Sequence, residues 1–160
     1  MAPAPGHRRD APYPVRPALL EDHDTLQEIF REASLANPSD RDQLLLRPDL
    51  LTFSDEAIRQ GRCRVAAHRD GHVVGFHSLM VDGDVAELED LFVTPPMWQR
   101  GVGRALILDA VSQARDRSCV RIEVTANPDA LAFYEKTGFV FDHPVDTELG
   151  PGLRMHLDVR

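Results

Sequence analysis

The sequence has few cysteines, no long apolar segment and no metal-ligand pattern, and each shortage excludes a class of protein. Only two of the 160 residues are cysteines, Cys63 and Cys119, so the fold does not depend on a disulfide framework. We expect both thiols to be buried and reduced, as in a cytoplasmic protein. No segment approaches the roughly 20 apolar residues that cross a bilayer. The seven histidines lack the spacing of zinc ligands, so the sequence predicts no metal.

Basic residues are also scarce relative to acidic ones. The chain carries 18 lysines and arginines against 26 aspartates and glutamates, a formal net charge of −8. This balance argues against binding to nucleic acid or to an anionic membrane, since both need a basic surface. An acidic surface suits a cationic substrate such as an amine, although solubility alone explains many acidic proteins. With 42% apolar residues, the 160-residue chain is long enough to bury one core.

Turn residues and hydrophobic periodicity divide the first half of the chain. Residues 1–12 contain three prolines and predict a flexible N-terminal arm, and residues 13–160 are predicted to form a single domain. A short edge strand over residues 13–20 precedes a helix that begins near Glu21. A less regular helical segment then leads into three antiparallel strands joined by Asp-Gly turns, over residues 63–68, 73–81 and 85–93.

The second half alternates between helices and strands. Apolar residues recur at helical spacing from Val102 to about Arg117 and again after Asn127, with a strand over residues 120–125 between them. Two final strands are predicted around residues 139–141 and 153–159. This order of elements predicts an α/β (α+β) fold, in which helices flank a mixed, mostly antiparallel central sheet.

A glycine-rich segment, Gln99 to Arg104, lies between the third strand and the following helix. Glycines let a backbone loop approach a ligand closely, and the N–H groups at a helix start attract an anion. A Rossmann fingerprint needs a third glycine where the chain has Leu106, and a Walker loop needs a Gly-Lys-Ser/Thr sequence. The segment therefore predicts a phosphate site that is neither a dinucleotide fold nor an NTPase loop.

Two longer segments resemble a known family. Residues 93–106, VTPPMWQRGVGRAL, are similar to the acetyl-CoA motif of the GNAT superfamily of N-acetyltransferases, and residues 127–139, NPDALAFYEKTGF, resemble its second motif. They occur in the family's order with one strand between them, and the resemblance covers nearly the whole chain after the arm. It implies a GNAT-like sheet, acetyl-CoA as cosubstrate and transfer of the acetyl group to an amine.

The resemblance also implies the residues that hold acetyl-CoA. The backbone of the loop would hold the pyrophosphate, the edge of the preceding strand would pair with the pantetheine arm, and Asn127 would contact that arm. The family usually has glutamine or arginine where this chain has Trp98, so the strength of phosphate binding is an open question. The implied cofactor-binding residues are Leu91, Phe92, Val93, Gln99, Arg100, Gly101, Val102, Gly103, Arg104, Asn127 and Tyr134.

The same resemblance implies that Tyr134 protonates the departing thiolate and that a backbone N–H near Phe92 or Val93 holds the developing oxyanion. An alkyl amine is mostly protonated at neutral pH, so a base is needed as well. Glu87 and Glu89 are equal candidates, because strand alternation places both on the face of Leu91. Asp90 points the other way unless a bulge intervenes. Neither cysteine lies in a matching motif, so direct attack in a ternary complex is favoured over an acyl-enzyme.

Two functions of other classes remain open from sequence alone. One is a non-catalytic acetyl-CoA-binding module that regulates another process. The other is an interaction domain with an inactive cofactor site. The acceptor amine, small molecule or peptide, has no recognisable signature, since a fold does not specify a substrate. Dimers are common in the family, which leaves a homodimer as an open expectation.

Overall fold

A seven-stranded sheet forms the centre of the molecule. The computed structural model describes residues 13–160, and the predicted arm, residues 1–12, lies outside the described residues. The sheet order is β1-β2-β3-β4-β5-β7-β6, and β4 and β5 form the single parallel pair among these strands. The predicted mixed, mostly antiparallel sheet is therefore confirmed. The strands are β1 (Val15–Pro17), β2 (Cys63–Ala67), β3 (Val73–Asp82), β4 (Val85–Val93), β5 (Arg121–Ala126), β6 (Val140–Thr147) and β7 (Gly150–Asp158).

Within residues 13–160 five α-helices connect the strands, and short 3₁₀ turns precede several of them. The helix predicted from Glu21 begins as a 3₁₀ turn, Leu20–Asp22, and the helix predicted after Asn127 begins as a 3₁₀ turn, Pro128–Ala130. None of the helices that the structure describes is long and apolar enough to cross a membrane. The helices are α1 (His23–Leu35), α2 (Arg41–Leu46), α3 (Glu56–Arg59), α4 (Val102–Asp116) and α5 (Leu131–Lys136).

The two ends of the sheet differ most from the predicted strands. At one edge β1 is only three residues long, because Pro14 and Pro17 limit its pairing. At the other edge β6 and β7 form a hairpin far longer than the predicted strands. Seven of the eight residues of β6 are exposed, and Pro144 interrupts its apolar pattern, so the periodicity hides this strand.

Helices cover both faces of the sheet. On one face α1 and α3 pack against Val65, Phe76 and Phe92. On the other face α4 buries Leu106, Ile107 and Ala110 against the sheet. These residues form one buried apolar face of α4, as their helical spacing in the sequence predicts.

A buried polar cluster also ties α4 to the sheet. Asp109 of α4 accepts hydrogen bonds from the guanidinium of Arg64 at 2.7 and 3.1 Å, and its Oδ2 lies 2.8 Å from Nε2 of His77. Burial alone would raise the pKa of Asp109, but the bonds to His77 and Arg64 outweigh it, and the pKa lies below its usual range. This cluster fixes α4, and with it the loop that precedes α4, relative to the strands.

A bulge in β4 changes which side chains share a face. Ser78 pairs with Asp90 while Leu79 pairs with Leu88, so Glu89 is an extra residue in the strand. Leu88 and Leu91 consequently pack into the same core cluster. The prediction that Glu87, Glu89 and Leu91 share one face is therefore wrong. Glu87 lies on the opposite face from Leu91, together with Asp90.

The close approach of β3 and β4 depends on Gly75. A Cβ at this position would lie 2.9 Å from the carbonyl oxygen of Phe92, which is backbone and cannot rotate away. We therefore expect Gly75→Ala to lower the free energy of unfolding by about 1–3 kcal/mol, the usual cost of overpacking. Urea unfolding followed by circular dichroism would measure it. Met80→Ala, at an exposed position of the same strand, should change stability by less than about 0.5 kcal/mol. Equal midpoints for both variants would contradict this account of the β3–β4 spacing.

Candidate active site

A cavity of about 510 Å³ opens where β4 and β5 separate. The parallel pairing of these strands extends from Val85 to Leu88 of β4 and ends at Val124 of β5. Beyond that point the backbone of residues 89–93 faces the cavity instead of a neighbouring strand, and we call it the β4 edge. α1, α2, α4 and α5 supply the other walls. An unpaired strand edge beside a cavity can accept an extended ligand as an added strand.

The direction of the N–H groups along the β4 edge follows from one hydrogen bond. The N–H of Thr94 donates to the carbonyl oxygen of Val74 in β3 at 2.9 Å. Because backbone groups alternate along a strand, the N–H of Phe92 also points towards β3. The N–H groups of Leu91 and Val93 then point into the cavity. Of the two donors predicted for an oxyanion, Val93 therefore has the suitable orientation.

The glycine loop, residues 99–104, joins the β4 edge to α4. Gln99 and Gly101 both have positive φ, 61° and 89°, which turns the chain sharply before α4 begins at Val102. Arg100 and Arg104 flank the turn, and neither forms an ion pair with a residue in the described part of the chain. Two unpaired guanidinium groups at a helix start can bind phosphate.

Three positions of the glycine loop have different structural tasks. Gln99 and Gly103 line the cavity, whereas the side chain of Val102 is buried in the core, so Val102 can offer a ligand only its backbone. At Gly103 a Cβ would lie 2.7 Å from the ring of Phe133. This glycine therefore allows α5 to pack against the first turn of α4.

Trp98, the departure from the family pattern, closes the loop against β4. Its indole N–H donates to the carbonyl oxygen of Val93 at 2.7 Å, while 42% of the residue stays exposed. The bond joins the start of the glycine loop to the end of the β4 edge. Where the family has a polar side chain, Trp98 thus forms a hydrogen bond that fixes the loop relative to the strand.

Tyr134 projects from α5 into the cavity. The residue is buried, and its ring packs edge-on against Phe133 and Phe139. No described residue forms a hydrogen bond with its hydroxyl group, which leaves that group free for a ligand. Burial, and secondarily the charge of Asp90, raise the pKa of Tyr134 well above its usual value. The phenol therefore keeps its proton and can act as an acid.

The structure separates the two acids that the sequence treats as equal. Glu89, on the bulge, lines the cavity and pairs with Arg62. Glu87 does not line it, since Arg154 binds both of its carboxylate oxygens at 2.6 and 2.9 Å. The hydroxyl group of Ser78 donates a hydrogen bond to the carboxylate of Asp90, on the face opposite Leu91. Burial raises the pKa of this carboxyl. Only Glu89 of the three is positioned to exchange a proton within the cavity.

Asn127 takes part in a polar group that the sequence does not predict. Its amide donates to Asp40, and its Oδ1 accepts the N–H of Asp129 at 2.8 Å. Ser39 donates to the carboxylate of Asp129 at 2.6 Å. We call these four residues the acceptor wall. They join the loop before α2 to the loop after β5, and Asp40, Asn127 and Asp129 line the cavity.

Both cysteines are buried and free, as predicted. Burial is the main cause that raises the pKa of the Cys63 thiol to about 12, and it also raises the pKa of Cys119. Neither cysteine lines the cavity. Cys119 lies just before β5 rather than within a strand. A thiol with these properties is a poor nucleophile, which favours a mechanism without an acyl-enzyme.

Comparisons with known proteins identify relatives of this architecture. Residues 24–139 match the profile of the acetyltransferase (GNAT) family. The chain is 34% identical over 100 residues to a glucosamine 6-phosphate N-acetyltransferase from Trypanosoma brucei brucei, covering 57% of this chain and 68% of that protein. It is 26% identical over 155 residues to the uncharacterized N-acetyltransferase YjgM from Escherichia coli K12, covering 91% of each.

A solved structure shares the fold along nearly the whole chain. It is the PaiA N-acetyltransferase from Thermoplasma acidophilum, crystallised in complex with coenzyme A. The two superpose with a TM-score of 0.69 at 22% sequence identity, covering 91% of this chain and 98% of that one. At this identity the likeness supports the fold, and the site has to be argued from its own residues.

Proposed function

Since the match over residues 24–139 means that this chain belongs to the acetyltransferase (GNAT) family of acetyl-CoA-dependent N-acetyltransferases, we propose that it acetylates a primary amine by direct attack in a ternary complex. The observation that carries the proposal is the cavity, which Tyr134, Glu89 and the β4 edge all line beside the glycine loop. Each of these groups supplies a role that acetyl transfer needs.

The glycine loop and the β4 edge bind the cosubstrate. The N–H groups of residues 99–104 and the guanidinium groups of Arg100 and Arg104 hold the pyrophosphate, and the β4 edge pairs with the pantetheine arm. When bound, acetyl-CoA supplies a thioester whose carbonyl carbon accepts the amine and whose sulfur leaves. The N–H of Val93 stabilises the negative charge that develops on the carbonyl oxygen.

Tyr134 and Glu89 move the protons. Glu89 accepts, through water, the proton that the amine nitrogen loses as its C–N bond forms. Tyr134 donates its proton to the sulfur as the C–S bond breaks. The proton that Glu89 accepted then returns to Tyr134 through water, which restores both groups. The balanced products are an N-acetyl amide and the free thiol of CoA. The ion pair with Arg62 holds the carboxylate of Glu89 beside the cavity.

Calorimetry and a thiol assay test this function directly. Acetyl-CoA titrated into the protein should bind with micromolar affinity, and a panel of primary amines should release CoA thiol in the presence of the protein. Failure of acetyl-CoA to bind would overturn the proposal. Binding without thiol release from any amine would favour a regulatory module that only holds the cofactor.

Gly101→Ala should weaken acetyl-CoA binding about tenfold or more, because an L-residue at φ 89° is strained and the loop would relax away from its binding conformation. Calorimetry measures the dissociation constant. Gly71→Ala is the matched control, since its φ is 93° and no atom lies within 4 Å of a Cβ at either site. The control lies in the β2–β3 turn, so it should lose a similar amount of stability and keep its affinity. Equal affinities of both variants would contradict a binding role for the glycine loop.

A further inference from the structure

The cavity has an unbalanced lining. Among residues 13–160, three acidic residues line it, Asp40, Glu89 and Asp129, and no lysine, arginine or histidine does so. The remaining lining residues are apolar or neutral, among them Phe30 of α1, Leu44 of α2, Leu50, and Leu149 in the β6–β7 turn. A ligand in this space meets negative charge and apolar surface.

Asp40 is the most unusual of the three acids. The residue is only 9% exposed, yet it forms no ion pair with any described residue. Asn127 donates to its Oδ2, and no described residue donates to its Oδ1. Burial and the charge of Asp129 both raise the pKa of Asp40. A buried carboxylate with an unused oxygen favours a cation beside it.

Asp129 adds a second uncompensated charge to the acceptor wall. Its carboxylate accepts a hydrogen bond from Ser39, a neutral donor, and forms no ion pair within residues 13–160. Arg62 and Arg154 are engaged elsewhere, because Arg62 pairs with Glu89, and Arg154 pairs with Glu87 and Glu123. Arg41, which follows Asp40 in the chain, donates instead to the carbonyl oxygen of Leu35 at 3.3 Å. No described lysine or arginine therefore forms an ion pair with the acceptor wall.

We infer that the acceptor is an aliphatic diamine or polyamine, whose second ammonium group binds Asp40 and Asp129 while the first amine is acetylated. The inference rests on the proposed function, which it narrows to one class of amine. The apolar residues that line the cavity contact the methylene chain between the two nitrogens. A phosphorylated amine is a poor acceptor, because its phosphate meets the acceptor wall with like charge.

Paired substrates of equal length test the inference. The value of kcat/KM for 1,4-diaminobutane should exceed that for n-butylamine by roughly 10- to 100-fold, the size expected of hydrogen bonds to charged groups. Calorimetry in the presence of CoA should likewise detect the diamine and not the monoamine. Ethanolamine should be a better acceptor than phosphoethanolamine.

Variants that remove one negative charge test whether Asp40 and Asp129 cause the preference for the diamine. Asp40→Asn should reduce the diamine-to-monoamine ratio of kcat/KM towards one. Asp129→Asn, at an exposed position, should reduce it as well and guards against a folding defect in the first variant. Asp24→Asn removes the same charge from a fully exposed side chain of α1 and should leave the ratio unchanged.

The outcomes separate this inference from the function beneath it. The inference is overturned, while acetyl transfer stands, if the monoamine is acetylated as efficiently as the diamine. It is also overturned if Asp40→Asn and Asp129→Asn both leave the diamine-to-monoamine ratio of kcat/KM unchanged. Thiol release from no amine at all overturns both.

Discussion

Replacing Tyr134 with phenylalanine is expected to lower turnover by roughly two to four orders of magnitude, the usual contribution of a positioned general acid. The variant removes only the hydroxyl oxygen. Its ring can keep the edge-on contacts with Phe133 and Phe139, so the fold and the cavity shape should survive. Stopped-flow or steady-state thiol release would measure the loss, and calorimetry should find the dissociation constant of acetyl-CoA nearly unchanged.

The expected size follows from the state of the Tyr134 hydroxyl. It is free of hydrogen bonds to the described protein, so its removal leaves no buried partner unsatisfied and costs little stability. The pKa raised by burial keeps the phenol protonated at neutral pH, ready to donate to a departing thiolate. Without this donor the thiolate must leave as an anion in a poorly solvated cavity.

Tyr13 offers a matched control, because the chain has two tyrosines and this one lies outside the cavity. Tyr13→Phe should retain wild-type turnover. If Tyr134→Phe also retained it, the acid would be another group or water, and Tyr134 would be only a core aromatic residue.

The features that local sequence determines are the ones that could be predicted. Asp-Gly turns bracket β3, so the three-strand meander follows from turn chemistry and period-two patterning alone. The glycine loop was likewise identifiable, since Gly101 precedes a long amphipathic helix. Both signals lie within about ten residues of the element that they define, and tertiary packing reinforces them rather than opposing them.

The bulge at Glu89 was only hinted at by the sequence, because the alternation that begins at Ala86 breaks where Glu89 and Asp90 stand side by side, and this break does not say which residue is the extra one. Its register shift becomes visible only where Ser78 and Leu79 of the neighbouring strand select their partners. This single extra residue separates Glu89 from Glu87 in position, since only Glu89 lines the cavity. The alternation of side chains along a strand predicts which face of the sheet each one lies on only while the pairing register with the neighbouring strand is continuous.

The acceptor wall escaped prediction for a different reason. Asp40 and Asn127 are 87 residues apart, and no spacing rule connects a loop before α2 with a loop after β5. The sheet brings them together by placing β5 beside β4, next to the face that α1 covers. Contacts of this kind depend on the completed topology, so a single sequence does not predict them.

Glu89→Gln is expected to lower kcat/KM by roughly 100-fold or more at neutral pH, because the amide cannot accept the proton that the amine loses. The glutamine keeps an oxygen that can accept from Arg62, so the pairing across the bulge and the cavity shape should persist. The loss should come from kcat, with the affinity for acetyl-CoA within about twofold of the wild type, since the carboxylate acts on the acceptor side.

Glu87→Gln is the matched control and should reduce kcat/KM far less than Glu89→Gln. The same charge is removed from the same strand, two residues away, but Arg154 holds this carboxylate outside the cavity, and Glu123 remains to pair with the arginine. Equal losses in both variants would mean that the amine gives up its proton to water and that the bulge positions the β4 edge alone.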